Sequence, residues 1–206
     1  KTNCFLFILL AAATLISYTW INQYEQAGPE LLTTHWKFKT SESNRVDITE
    51  NGLILSANDA KTGVSIHQDL PLVNPGTTLL VSADVKVTDV VAGEKSWNLA
   101  RIFLEQNDGE KVRWDRPHTV AALIGTADWK HYRTAFTISP ETKSIRLFAQ
   151  LSKSTGLFQI KNLQIYPVHV NQAYMWARAS ILFAWGAFFL LLAVFPEHEI
   201  YRMDHY

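Results

Sequence analysis

Two short stretches of the chain place aromatic rings and planar polar groups at every second position. Arg101 and Phe103 alternate with apolar residues in the first stretch, and Arg146, Phe148 and Gln150 do so in the second. Alternate side chains of a β-strand point to the same face, so each stretch predicts one face that carries these groups. Flat rings pack against the C–H faces of sugars, and guanidinium and amide groups bind pairs of hydroxyls. The stretches predict a face that binds a glycan, with a protein interface or ordinary surface as alternatives.

Three further residues extend the predicted face. Trp97 and Trp114 lie beside predicted loops and are the tryptophans we expect to be exposed, with residues 114–118 at the rim of a site. Strand alternation places Arg113 on the same face, together with Asp84 and Lys86. As an alternative role, Asp84 forms only a cross-strand ion pair with an arginine. The complete candidate set, for a glycan or a partner, is Trp97, Arg101, Phe103, Arg113, Trp114, Arg146, Phe148 and Gln150.

The sequence lacks the motifs of common catalytic sites. It contains no Gly-x-Ser-x-Gly, no His-Glu-x-x-His and no glycine-rich phosphate loop. A glycan hydrolase would need two carboxylates across a cleft, for which Asp84 and Glu105 are the candidates, but no pattern brings them together. Glu105, Asp108 and Glu110 are expected in a solvated turn, although alternation also places Glu105 on the face of Arg101 and Phe103. We expect no catalytic residue, no bound metal and no cofactor. The histidines interpreted as surface or strand residues are His35, His67, His118, His131 and His169.

The residues between positions 31 and 168 alternate with period two. Residues 79–88, 132–138 and 145–151 each place an apolar residue at every second position, apart from Thr134, and turn residues separate these runs. This pattern predicts an antiparallel β-sandwich, with a short helical turn only at 121–125. Trp129 is expected in its core.

The second half of this segment carries a resemblance. Residues 128–138 contain Trp129-x-x-Tyr132 and are followed by Ser139-Pro140, an aliphatic strand, and a last strand led by Gly156. This order resembles the C-terminal half of carbohydrate-binding modules with a galactose-binding-like jelly roll. The resemblance implies a jelly roll whose concave sheet binds carbohydrate. Asn162 stands where many members have aspartate, so a family calcium site is not expected.

A long apolar run lies near each end of the chain. Residues 4–21 and 179–195 contain no charged side chain, and a transmembrane helix needs about 20 apolar residues. A cleavable signal peptide is the alternative for the first run, because Ala11 and Ala13 form a small-x-small pattern. The run stays apolar beyond them, which favours a retained anchor. The predicted organisation is a transmembrane helix at 1–23, a linker at 24–30, the sandwich at 31–168, a transmembrane helix at 169–196 and a polar tail at 197–206.

The charge balance and the single cysteine narrow the function classes. The chain has 19 basic and 19 acidic residues, which argues against a nucleic-acid partner. Cys4 alone cannot form an intrachain disulfide. The predicted fold class is an all-β, antiparallel jelly-roll sandwich with one transmembrane helix at each end, cytoplasmic termini and an extracytoplasmic sandwich in the inner membrane. We expect a non-catalytic accessory protein that contacts lipid, membrane proteins and polysaccharide. The alternative is a structural subunit whose sandwich binds protein.

Overall fold

The computed structural model describes residues 2–50 and 52–194, which form eleven strands between two helices. The helices are α1 (Thr2–Trp20) and α2 (Gln172–Val194). The strands are β1 (Tyr24–Gln26), β2 (Lys37–Lys39), β3 (Asn44–Thr49), β4 (Gly52–Ala57), β5 (Val64–Leu70), β6 (Thr78–Val91), β7 (Ala100–Asn107), β8 (Thr119–Leu123), β9 (Gly125–Thr137), β10 (Ser144–Leu151) and β11 (Thr155–Val170).

The strands form two antiparallel sheets. The six-stranded sheet has the order β3-β4-β11-β6-β9, with β1 paired to β11, and the five-stranded sheet has the order β2-β5-β10-β7-β8. From β4 onward, every connection except β7–β8 crosses from one sheet to the other. Such crossings between two packed antiparallel sheets are typical of a jelly roll, so the predicted β-sandwich is confirmed.

The core lies between the two sheets, where the alternating apolar side chains meet. Leu55 and Phe158 fill it from the six-stranded sheet, and Ile66 and Leu147 from the five-stranded sheet, each with 1% or less of its surface exposed. Because successive side chains alternate, the same strands present a second set of side chains outward. The outward set of the five-stranded sheet contains most of the candidate residues.

Several sequence-based expectations about the sandwich were wrong. Residues 121–125 form no helical turn, because most of them continue β8, which pairs with β7. Asp84 and Lys86 lie on β6 in the six-stranded sheet, so they do not share a face with Arg101. Trp129 is 37% exposed on β9 rather than in the core. Alternation shows which residues share a face of one strand, but it does not show which sheet the strand joins.

The chain divides into a β-rich unit, Gln26–Val168, and a second compact unit that contains both helices. In the second unit, the indole Nε1 of Trp185 donates a hydrogen bond to Oγ1 of Thr14, 3.0 Å away, and the Trp185 ring lies 5.5 Å from that of Phe7. Asn171 begins α2, because its Oδ1 accepts hydrogen bonds from the backbone N–H groups of Ala173 and Tyr174.

One described helix, Gln172–Val194, is long and apolar enough to cross a membrane, judged by length and composition. The apolar part of α1, Cys4–Thr19, is shorter. The expectation of a membrane-spanning helix at each end is therefore supported at the second end alone. The predicted linker at 24–30 begins with strand β1. The predicted polar tail, 197–206, lies outside the described residues.

Candidate functional site

The strand register explains why the candidate residues lie together. Phe148 on β10 lies opposite Phe103 on β7 and opposite His67 on β5. Gln150 lies opposite Arg101 in the next row of the same face. Antiparallel pairing places directly opposite side chains about 5 Å apart, so two stretches distant in sequence combine into one surface. We refer to this outward surface of β5, β10 and β7 as the binding face.

A row of stacked rings crosses the binding face. The imidazole of His67 lies 4.9 Å from the Phe148 ring, and the Phe148 and Phe103 rings are 5.0 Å apart with their planes 2° from parallel. Parallel six-membered rings at this separation overlap by part of their faces. Phe103 is almost fully buried, with 4% of its surface exposed. The row therefore forms an apolar floor, and it does not offer broad free ring faces.

A cavity of about 630 Å³ lies above this floor. Trp97 and Trp114 form part of its wall and are 52% and 53% exposed, as expected from the sequence. The Trp114 ring lies 6.0 Å from Phe103 and 5.3 Å from the imidazole of His118. The two indoles therefore provide the accessible flat apolar surfaces. The lining residues are Trp97, Arg101, Phe103, Glu105, Trp114, His118, Phe148 and Gln150.

A chain of alternating charges borders the floor. Lys37 and Arg146 both bind Asp69, the latter through Nε at 2.9 Å, and Nη1 of Arg146 lies 3.6 Å from Oε1 of Glu105. The hydrogen bond from Lys37 is the main cause that lowers the pKa of Asp69. Burial raises the pKa of Glu105, and Arg146 opposes that rise. Two cations and two carboxylates thus balance each other along this edge.

Burial also lowers the pKa of two basic side chains of the binding face, His67 and Arg101. It lowers the pKa of His67, whose ring is packed against Phe148. It also lowers the pKa of Arg101, which is 9% exposed and whose guanidinium carbon lies 4.8 Å from the centroid of the Phe103 ring. Desolvation disfavours the charged form of a base in both cases.

The structure brings six of the eight candidate residues to the cavity and leaves two outside its lining. Arg146 lies in the neighbouring row and is occupied by Asp69 and Glu105. Arg113 does not share the outward face of a strand. It lies outside the named strands, where its guanidinium binds Asp115 at 2.9 Å and lies 3.8 Å from Glu141. Arg113 lowers the pKa of Asp115 to about 2.

The sequence analysis missed one residue of the binding face and described two lining residues only in part. His67 was missed because no strand was predicted at β5, although Val64, Ile66, Gln68 and Leu70 are buried alternately there. His118 was expected at the rim of a site as the last of residues 114–118, and it lines the cavity. Alternation placed Glu105 on the outward face, but its expected position in a solvated turn was wrong, because Glu105 belongs to β7 and is 8% exposed.

The carboxylate pair considered for a hydrolase is not formed. Asp84 lies in the six-stranded sheet and Glu105 in the five-stranded sheet. Asp84 instead contacts Nδ1 of His131 at 2.8 Å and accepts a hydrogen bond from Nδ2 of Asn162 at 2.6 Å. The expected ion pair of Asp84 with an arginine of the binding face is wrong for the same reason. Within the described ranges, no three His, Cys, Asp or Glu side chains are grouped so that they could hold a metal ion.

No protein-family model matches the chain, and no curated protein matches it. Among solved structures, the chain is similar to the CBM22-1 xylan-binding domain of Paenibacillus barcinonensis Xyn10C, at 19% identity and a TM-score of 0.46, over 71% of this chain and 99% of that domain. It is also similar to the N-terminal cellulose-binding domain of Cellulomonas fimi β-1,4-glucanase C, at 16% identity and a TM-score of 0.45, over 73% and 97% of the two chains.

A third similar structure is the enzymatically active domain of tailspike protein 4 of bacteriophage CBA120. It has 13% identity and a TM-score of 0.44 over 74% of this chain, which spans only 20% of the tailspike chain. These likenesses concern the β-sandwich architecture. The chemical class of a ligand depends on the side chains that line the cavity.

Proposed function

We propose that this chain is a non-catalytic, membrane-anchored protein that binds a polysaccharide in the cavity of its binding face. The observation that carries the proposal is the combination of Trp97 and Trp114, both half exposed, with Arg101 and Gln150 in one cavity of about 630 Å³. Ligand cavities have volumes of this order and combine apolar walls with a few polar groups.

The chemistry of the wall fits sugar rings. A pyranose has apolar C–H faces that pack against an indole, and its equatorial hydroxyls form hydrogen bonds with planar groups. Gln150 supplies both a donor and acceptors, Arg101 supplies donors, and Glu105 supplies acceptors when it is ionised. These groups lie around the apolar floor, so one sugar can contact rings and polar groups together.

We infer that the two helices anchor the protein. The large side chains of α2 are mostly exposed, with Leu182 at 73% and Phe183 at 80%. An apolar helix with exposed faces is stable in lipid rather than in water. The contact of Trp185 with Thr14 supports α1 as a second membrane-embedded helix beside α2. The proposed arrangement has cytoplasmic termini and an extracytoplasmic sandwich at the inner membrane, where it serves a complex that handles cell-surface polysaccharide.

Binding by the full 206-residue chain in detergent tests this proposal. We would measure retention of the chain on immobilised polysaccharides, both neutral and charged, and compare it with a Trp97→Ala, Trp114→Ala double variant. We expect at least one polysaccharide to retain the chain and the double variant to lose that retention while its melting temperature stays unchanged. The variant's unchanged melting temperature would show that the loss is local.

The alternative is a structural subunit whose sandwich binds protein. It predicts that no polysaccharide retains the chain, and that the double variant loses a co-purifying membrane protein. This result would contradict glycan binding and would replace it with a protein interface at the same indoles.

A further inference from the structure

Arg101 lies on the floor of the cavity with no opposite charge beside it. It is 9% exposed, and its neighbours across the sheet are Gln150 and Ala122, neither of which carries a charge. Among the residues that the structure describes, no carboxylate lies within salt-bridge distance of its guanidinium. The contact with the Phe103 ring, at 4.8 Å, offsets only part of the cost of burying this charge.

Arg146 and Arg113, the other arginines named around the binding face, both have carboxylate partners. Arg146 binds Asp69 and lies beside Glu105, and Arg113 binds Asp115 and lies 3.8 Å from Glu141. Among the described residues, Arg101 is therefore the one of these three arginines that has no carboxylate partner. Arg101 is 9% exposed, so its charge is only partly hydrated, and a ligand that supplies the counter-charge would stabilise it.

We propose that the ligand of the cavity is an acidic polysaccharide, and that Arg101 binds the carboxylate of one of its sugar residues. This inference rests on the proposed glycan-binding function and adds the class of glycan. A guanidinium presents two parallel N–H donors that match the two oxygens of a carboxylate. Gln150 lies directly across the sheet and adds an amide donor, and the small side chain of Ala122 does not cover the opposite flank.

The opposite end of the cavity carries Glu105, whose charge Arg146 balances. Glu105 lies four residues further along β7 on the same face, which corresponds to about 14 Å of strand. A carboxylate on the sugar finds an unpaired cation at Arg101 and only a balanced ion pair at Glu105, and this difference fixes the direction in which the polysaccharide lies. Glu105 is then left to accept hydrogen bonds from hydroxyls of a neighbouring sugar.

Pairs of polymers that differ only in charge test the inference. The full chain in detergent would be titrated with alginate, polygalacturonate and hyaluronate, with the methyl ester of each, and with neutral xylan and β-glucan. The variant is Arg101→Met, which keeps an apolar stem over Phe103, and the matched control is Arg113→Met outside the cavity. Melting curves of both variants check the fold, and Arg101→Met is expected to melt no lower than the wild type because it removes an unpaired buried charge.

We expect at least one carboxylate polymer to bind about tenfold or more tightly than its ester, as for a hydrogen-bonded charge pair. Arg101→Met should bind the acid and the ester equally, and Arg113→Met should keep the wild-type preference. If a neutral glycan binds through Trp114 and Arg101→Met leaves that binding unchanged, this inference is wrong and the proposed function stands. If no polymer binds, both are wrong. Equal binding of dextran sulfate would also contradict the carboxylate assignment.

Discussion

Nη1 of Arg146 lies 3.6 Å from Oε1 of Glu105, whose side chain is 10% exposed. Arg146 is held in this position from its other side, because its Nε donates a hydrogen bond to Asp69 at 2.9 Å. Glu105 itself has no second cation among the described salt bridges. Its ionisation in the folded protein therefore depends on one arginine.

This relationship predicts a pH dependence of stability. Burial raises the pKa of Glu105 above its ordinary value of 4.5, so the folded chain holds a proton on Glu105 to higher pH than the unfolded chain does. The free energy of unfolding therefore falls as pH rises from 4.5 through the raised pKa. Arg146→Met removes the cation that opposes this rise, so the fall should be larger and extend to higher pH. Urea unfolding at a series of pH values measures it.

Glu105→Gln is the control for this titration, because it removes the ionising group and should abolish this part of the pH dependence. Identical pH profiles for wild type and Arg146→Met would show that the two side chains are not coupled.

Trp114→Ala should weaken glycan binding by about 30-fold, the effect of losing roughly 2 kcal/mol at an aromatic hot spot. Trp114 is 53% exposed, so little folding energy depends on it. Trp129→Ala is a matched control, because that indole is 37% exposed in the other sheet. Calorimetric titration of both variants measures the difference. Equal losses for the two variants would place the ligand elsewhere.

Arg113→Gln should leave glycan binding within about twofold of wild type, because surface changes away from a site have small effects. The substitution should also raise the pKa of Asp115 from about 2 toward its ordinary value of 3.8, since the Arg113 hydrogen bond is the main cause of the low value. The depressed pKa stabilises the fold above 3.8, and this contribution is lost as pH falls toward 2. NMR titration of the Asp115 carboxyl checks the shift. A large loss of glycan affinity would show that Arg113 reaches the ligand.

Phe158→Ala should lower the free energy of unfolding by about 3–5 kcal/mol, because it removes a large ring from the centre of the sandwich. Phe158 is fully buried on β11, which lies between β4 and β6. The same substitution at Phe38, which is 60% exposed, should cost about 0.5 kcal/mol or less. Urea unfolding compares the two. Equal costs would contradict the sheet arrangement described above.

Local alternation was sufficient to predict the sandwich and most of the binding face. Ile145, Leu147 and Ala149 are all buried as the period of two requires, while Arg146 between them is exposed, and Phe103 and Phe148 do lie on one outward surface. Each of these predictions depends on neighbours within one strand, or on two strands that both belong to the same sheet. A single sequence contains this local information about which side chains share a face of a strand.

The errors concern relations between strands. Asp84 and Arg113 were assigned to the face by alternation alone, but sheet membership and the path of a loop depend on long-range pairing. His67 was missed because β5 is less regular in composition, with polar His67, Gln68 and Asp69 in succession. The lack of a carboxylate opposite Arg101 could not be predicted either, because it depends on which side chains the register places beside it.

The structure of the full chain with a bound acidic oligosaccharide tests the central claim most directly. The account predicts a sugar ring packed against Trp97 or Trp114 above the Phe103–Phe148 floor, with a carboxylate paired to Arg101. An oligosaccharide bound on the six-stranded sheet, or a cavity filled by a segment of a partner protein, would contradict it.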